Sequence, residues 1–307
     1  MQDSGPRIRQ RLNLHGSICA LATPFRAGAE AIDVDGFSRL VDAQADAGTQ
    51  AVVVAGSTGE AAALDGVEFE QLIGLAIGRA RGRMTVLAGT GQSATRHTIA
   101  RTRLAAAAGA EAALVVVPPY VRATQEGLYR HFCEVADHGG LPVVLYNVPA
   151  RTACDLEPAT VARLRTHGNI VGIKEAVPDE ARMQALLALR SPTFRILSGD
   201  DPTAMRSMLA GADGVISVAA NVAPGLFAAL CRACAERDAI EAAALDRRLE
   251  PLYALLAVEP NPIPVKACLA AIGFGAGDLR LPLLPLSASH RGRMADVLAA
   301  LGIVQGT

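Results

Sequence analysis

Lysine and arginine together number 29 in this chain of 307 residues, yet only two of them are lysines, Lys174 and Lys266. Arginine has taken nearly every other cationic position. A lysine that escapes such a bias points to work arginine cannot do. A guanidinium keeps its proton, whereas a buried amine can release one and become a nucleophile. Lys174 closes the apolar run Ile170-Val171-Gly172-Ile173. A buried strand would deliver that side chain to the mouth of a barrel. The plainer role is a lysine snorkelling from a strand end, and the residues at the other strand ends weigh between the two.

Those ends form a coherent set. Tyrosine is scarce (Tyr120, Tyr129, Tyr146 and Tyr253), and Tyr146 closes the run one strand-helix repeat before Lys174. A phenol there is a weak acid suited to passing a proton near an amine. Ser57 and Thr58 stand between Gly56 and Gly59, on a turn whose hydroxyls and backbone N–H groups can hold a carboxylate. Arg151, in Asn147-Val148-Pro149-Ala150-Arg151-Thr152, offers a bidentate fork for a second carboxylate. Ser198-Gly199-Asp200 and Ile216-Ser217 close two later runs, and Pro118-Pro119-Tyr120 an earlier one. Together they describe Schiff-base chemistry on a keto acid with a further acidic substrate. Singly, each has a bland reading. Gly-Ser-Thr-Gly is a common turn, Tyr146 could cap the core with its hydroxyl at the rim, and Arg151 could serve a surface ion pair. Gly89-Thr90-Gly91 resembles a phosphate loop but lacks the lysine that would follow it.

The elements that must position these residues are short β-branched runs separated by Ala/Leu/Arg-rich helical patterns. The expected strands are 17–22, 51–55, 85–88, 112–117, 142–146, 170–174, 195–198 and 214–217. The expected helices between them are 34–47, 67–81, 94–108, 125–136, 158–165, 179–189 and 202–209. Eight such repeats make a closed parallel (β/α)8 TIM barrel, whose active site lies at the carboxyl ends of the strands. An open doubly wound sheet is the alternative, and no dinucleotide fingerprint supports it. Gly48, Gly109, Gly139, Gly168 and Gly211 fall where helices should stop. From about Pro224 only helical patterns follow, broken at Pro260-Asn261-Pro262-Ile263-Pro264 and Leu281-Pro282. The expected division is a barrel over 1–236 and a helical C-terminal extension over 237–307.

Composition narrows the function. Apolar residues make up 51% and the formal net charge is -1, so a large core is available and no nucleic-acid footprint is present. No apolar run approaches the ~20 residues of a membrane span. Arg7, Arg9 and Arg11 before a mildly apolar stretch imitate a cleavable signal, but Asn13, His15, Gly16 and Ser17 break it. The expected location is the cytoplasm. The six cysteines are scattered without a disulfide framework. Cys231-x-x-Cys234 lacks a second pair and reads as helix packing, and the six histidines show no metal-ligand spacing.

Several longer stretches carry a family resemblance. They are Gly16-Ser17, Thr23-Pro24-Phe25, Gly56-Ser57-Thr58-Gly59-Glu60, Gln125-Glu126-Gly127-Leu128-Tyr129 and Asn147-Val148-Pro149-Ala150-Arg151-Thr152. Ile173-Lys174-Glu175-Ala176, Ser198-Gly199-Asp200-Asp201 and Asn261-Pro262-Ile263-Pro264-Val265-Lys266 continue it. On these the chain resembles the dihydrodipicolinate synthases, within the pyruvate-dependent class I aldolases, over nearly its whole length. The resemblance implies pyruvate and aspartate semialdehyde as substrates, a homotetramer and no cofactor. It makes Lys174 the Schiff-base residue, Tyr146 the proton relay and Ser57 part of that relay in place of a usual threonine. Tyr120 would complete the relay in a neighbouring subunit. Thr58, Gly199 and Ile216 would line the pyruvate site, and Arg151 would receive the semialdehyde carboxylate. Lys266 would be structural, at a helix start.

Departures from the family pattern are Ser57, Ala153 and Pro119. The Gly-Ser-Thr-Gly-Glu form also occurs in sialate lyases. A lyase of a sugar acid and a non-catalytic keto-acid-binding protein on the same fold therefore stand as alternatives. A further implication concerns feedback. Gly66, Phe69, Ser93, His97 and Pro119 occupy positions that match a lysine-binding cleft between subunits. Without the acidic partner and the tyrosine hydroxyl found there in the family, lysine should inhibit weakly or not at all.

Overall fold

The computed structural model describes residue 12 and residues 14–303; the Arg7, Arg9, Arg11 and Asn13 segment lies outside the described residues. Eight parallel strands close into a barrel in sequence order. They are β1 (Gly16–Ala20), β2 (Ala51–Val54), β3 (Thr85–Gly89), β4 (Ala112–Val116), β5 (Val143–Asn147), β6 (Ile170–Glu175), β7 (Arg195–Ser198) and β8 (Gly214–Ser217). The helices that follow them are α1 (Val34–Asp46), α2 (Gly66–Ala80), α3 (Thr95–Ala107), α4 (Gln125–His138), α5 (Pro158–Leu164), α6 (Glu180–Leu187), α7 (Ala204–Ala210) and α8 (Pro224–Ala235). A single helical turn, Pro149–Thr152, follows β5 and carries Arg151, and three more helices, α9 (Ala239–Leu256), α10 (Ile263–Ala271) and α11 (Ala288–Ala300), come after α8. None of the described helices is long and apolar enough to cross a membrane.

Every expected strand is present, the seventh and eighth at the expected residues and the others with ends moved by one or two. The first ends at Ala20, short of Ala22, and the sixth runs one residue beyond Lys174 to Glu175. The helix expected from Pro202 begins at Ala204, because Asp201–Thr203 forms a 3-10 turn first. Gly139 keeps right-handed backbone at the end of α4, and Gly140 takes the left-handed turn with φ 83°.

Side chains alternate between two cores. Ile18, Ala51, Val53, Leu87, Leu114, Val144, Tyr146, Val171, Leu197 and Ile216 fill the barrel interior. The intervening residues, such as Val52, Val86, Val115, Leu145 and Ile196, pack outward with the helices. This alternation follows from the period-2 geometry of a strand. It breaks once, in β6. Val143 pairs with Ile170 but Val144 pairs with Gly172, a one-residue irregularity. Ile170 and Ile173 consequently both face the helices while Val171 faces inward. Gly172 permits the close approach there, since a Cβ on it would lie 2.7 Å from the Arg195 carbonyl oxygen.

Candidate active site

The irregularity in β6 decides where Lys174 points. Beyond it, Ile173 lies outside and Lys174 turns into the barrel, paired in register with Tyr146 of β5. Its Nζ stands 4.5 Å from the centroid of the Tyr146 ring. Lys174 is 4% and Tyr146 8% exposed. A primary amine held beside a phenol at a strand end is placed for nucleophilic work. Gly199, just after β7, makes room for it: a Cβ there would lie 2.8 Å from Lys174 Cε and 2.9 Å from Cγ. Ile216 of β8 is fully buried in the same interior cluster.

Behind this pair, on the outer face of the same strand ends, lies a polar cluster to which the sequence reading gave no role. Asn147 Nδ2 donates to Asp155 Oδ1 at 2.8 Å and to both carboxylate oxygens of Glu175, at 3.2 and 3.1 Å. The N–H of Val177 donates to Glu175 Oε1 at 2.8 Å. Arg182 pairs with Asp155 and, at 3.5 Å, with Glu175. Burial outweighs these bonds and pushes the Glu175 carboxyl up to about 7. The signal in the sequence was only that Asn147 and Glu175 each stand one position past a singled-out residue.

The Gly56-Ser57-Thr58-Gly59-Glu60 turn follows β2. Gly59 and Ala61 N–H groups donate to the Gly56 carbonyl and Glu60 N–H to the Ser57 carbonyl. Thr23 Oγ1 donates to the Gly59 carbonyl at 2.8 Å. Thr58 is buried, and its Oγ1 accepts from Asn261 Nδ2 at 3.0 Å. The carbonyl of Asn261 accepts from Arg151 Nη2 at 3.1 Å. Asn261 thus joins the two carboxylate-binding candidates, and its own Oδ1 is buried without a partner. Glu60 pairs with Lys266 of α10 at 2.5 Å. Burial lowers the proton affinity of Lys266, and Glu60 pulls it back up.

Of the residues singled out, Ser57, Tyr146 and Arg151 meet at one cavity of about 580 Å³, with Glu60, Asn261 and Arg280, whereas Lys174, Thr58, Gly199 and Ile216 are not among the residues that line it. Ser57 is exposed on its wall. Tyr120 stands apart: it is 91% exposed, with φ 73°. Near the mouth of β7 and β8, Asp201 accepts from the N–H groups of Val218 and Ala219 at 3.0 and 2.8 Å. Burial raises its carboxyl above the usual range. Cys231 and Cys234 are buried free thiols on α8. Among the described residues no group of three or more His, Cys, Asp or Glu is placed to hold a metal.

The profile of the dihydrodipicolinate synthetase family matches residues 13–301. The chain is 59% identical, over 288 residues, to the 4-hydroxy-tetrahydrodipicolinate synthase of Stenotrophomonas maltophilia (strain K279a), covering 94% of this chain and 96% of that one. It is 55% identical over 289 residues to the enzyme of that name from Xanthomonas campestris pv. campestris, covering 94% and 95%. Among solved structures it is similar to the chloride-inhibited dihydrodipicolinate synthase of Acinetobacter baumannii complexed with pyruvate. There the TM-score is 0.92 and the identity 41%, with 95% of this chain and 100% of that chain covered.

Proposed function

The chain belongs to the dihydrodipicolinate synthetase family, and from that premise we propose that it is a 4-hydroxy-tetrahydrodipicolinate synthase of lysine and diaminopimelate biosynthesis. It condenses pyruvate with L-aspartate 4-semialdehyde through a Schiff base on Lys174. The observation that carries this reading is the burial of Lys174 against Tyr146 at the carboxyl ends of two neighbouring barrel strands.

The neutral Nζ of Lys174 adds to C2 of pyruvate, and the former carbonyl oxygen takes up protons and leaves as water. The resulting iminium draws electrons from a C3–H bond as that proton departs. Tyr146, its ring centroid 4.5 Å from Nζ, moves protons in these steps. The enamine carbon then attacks the aldehyde of the second substrate, whose oxygen takes a proton. Finally the substrate's amine adds to C2 and expels Lys174, closing the ring. The iminium supplies the electron sink, so no metal or organic cofactor is called for.

Thr58 and its turn receive the pyruvate carboxylate, with Gly199 and Ile216 lining the subsite. Arg151 receives the carboxylate of the semialdehyde. Ser57 serves the proton relay from the cavity wall. Tyr120, exposed and held at positive φ, completes the relay in a neighbouring subunit of a homotetramer. The catalytic unit spans 1–236, a helical unit spans 237–307, and the enzyme works in the cytoplasm.

The test has two parts. Borohydride with pyruvate should leave a reduced three-carbon adduct at Lys174, read by peptide mass spectrometry. A coupled assay should consume aspartate semialdehyde faster than any sialic-acid-type substrate is cleaved. A reversed preference would establish the lyase alternative, and no adduct would remove the Schiff base.

A further inference from the structure

We propose that Lys266 is a positioning residue for the keto-acid subsite, holding the 56–60 turn in place through Glu60. The inference rests on the function proposed above and deepens it.

The second lysine of the chain is as buried as the first. The Lys266 and Glu60 side chains are 3% and 1% exposed, with Nζ 2.5 Å from Oε1. Such a pair adds little net stability, because stripping water from both charges offsets their attraction. Two apolar side chains of the same volume would serve the fold as well. What the pair does supply is a fixed position for Glu60, and four observations show why that position matters.

Glu60 has left-handed backbone, φ 54° and ψ 40°, which a residue with a Cβ keeps only where its surroundings impose it. Its carboxylate is held at both oxygens, by Lys266 at Oε1 and by the Arg280 N–H at Oε2, 3.0 Å away. Both partners come from the chain beyond the barrel strands. Glu60 is in turn bonded into the turn itself, donating its N–H to the Ser57 carbonyl at 3.2 Å. Displacing Glu60 therefore displaces Ser57 and Thr58. Finally, Glu60 lines the same cavity as Ser57, Tyr146 and Arg151, so the displacement is felt at the site.

The choice of lysine over arginine also finds a reason here. Phe25 is fully buried, with Lys266 Nζ 3.9 Å and Arg280 Cζ 4.4 Å from its ring centroid. Arg280 spreads its guanidinium over Glu68 and the carbonyls of Ala29, Glu30 and Ala63. Beside it there is one ring face and one carboxylate oxygen to satisfy. A compact ammonium does that, whereas a second planar fork would bring donors with no acceptors.

The test compares the full-length enzyme with Lys266→Met, Glu60→Gln and the double variant. Steady-state kinetics are measured in both substrates, with borohydride trapping of pyruvate alongside. Lys266→Met leaves the Glu60 carboxylate buried with the Arg280 N–H but without its lysine. KM for pyruvate should rise at least tenfold, more than kcat falls as Ser57 moves with the turn and more than KM for the semialdehyde rises through Asn261. The double variant removes the stranded charge while the amide oxygen introduced by Glu60→Gln still accepts from the Arg280 N–H, and KM for pyruvate should return to within threefold of wild type. Should Lys266→Met fail to fold, Glu60→Gln carries the test, with KM for pyruvate raised at least threefold.

An unmoved pyruvate KM in the folded variants, with the loss confined to thermal stability, would overturn the inference alone. A wild-type enzyme that traps no pyruvate would refute the keto-acid reading and the inference with it.

Discussion

Replacing Glu175 by glutamine should remove a loss of stability that sets in as pH rises from 5 to 8. Glu175 is 1% exposed, and burial raises its carboxyl from 4.5 to about 7. Below pH 4.5 the group is protonated whether the chain is folded or not. Between 4.5 and 7 the unfolded chain has lost a proton that the folded chain keeps, so folded-state stability falls as pH rises through this window. Integrating the linkage relation from pH 5 to pH 8 gives a loss of about 2 to 3 kcal/mol from this one residue. Glutamine cannot ionise and escapes that loss. Its amide will cost something at every pH. The carboxylate oxygens accept from Asn147, Val177 and Arg182, and an NH₂ in place of one oxygen faces a donor. That cost is constant, so the informative quantity is the change in the mutant-minus-wild-type difference. Urea unfolding of both proteins at pH 5 and pH 8 should show the mutant gaining about 2 to 3 kcal/mol relative to wild type across the interval. A difference that stays within about 0.5 kcal/mol at the two pH values would refute the raised titration of Glu175.

Other outcomes follow from the same geometry. Lys174→Arg should lower kcat by about a thousandfold or more, since a guanidinium forms no imine, and the borohydride adduct should vanish without appearing at Lys266. Arg151→Ala should raise KM for the semialdehyde roughly 10- to 100-fold, the worth of a charge-assisted pair, while pyruvate trapping is kept; equal loss in both steps would make Arg151 structural. L-Lysine at low millimolar concentration should leave the steady-state rate unchanged. The ring of Phe69 is buried under the Arg101 guanidinium at 4.1 Å, and Arg96 donates to His97 at 3.2 Å. A ligand with two ammonium groups would meet cations there, and substantial inhibition would show that the cleft binds by other contacts.

The sequence by itself determined the repeat and its chemistry. Eight short β-branched runs, with helical patterns between them, suffice to specify the strands and the end of the barrel that carries function. The scarcity of lysine marked Lys174, and adjacency of the fifth and sixth strands put Tyr146 beside it. These features are local or one repeat apart, and backbone periodicity carries them.

Only the tertiary structure decided which way Lys174 faces. Strict alternation from Ile170 would leave residues 170, 172 and 174 on one face, against the helices. The irregularity opposite Val143 and Val144 turns Lys174 inward, and it arises from pairing between strands, which no single strand encodes. The same holds for the contacts across the chain. Asn261 reaches Thr58 and Arg151, and Lys266 reaches Glu60, over separations of 203, 110 and 206 residues. No periodicity spans such distances. Barrel closure brings these residues together, and burial then makes each polar group find a partner or remain, like Asn261 Oδ1, without one.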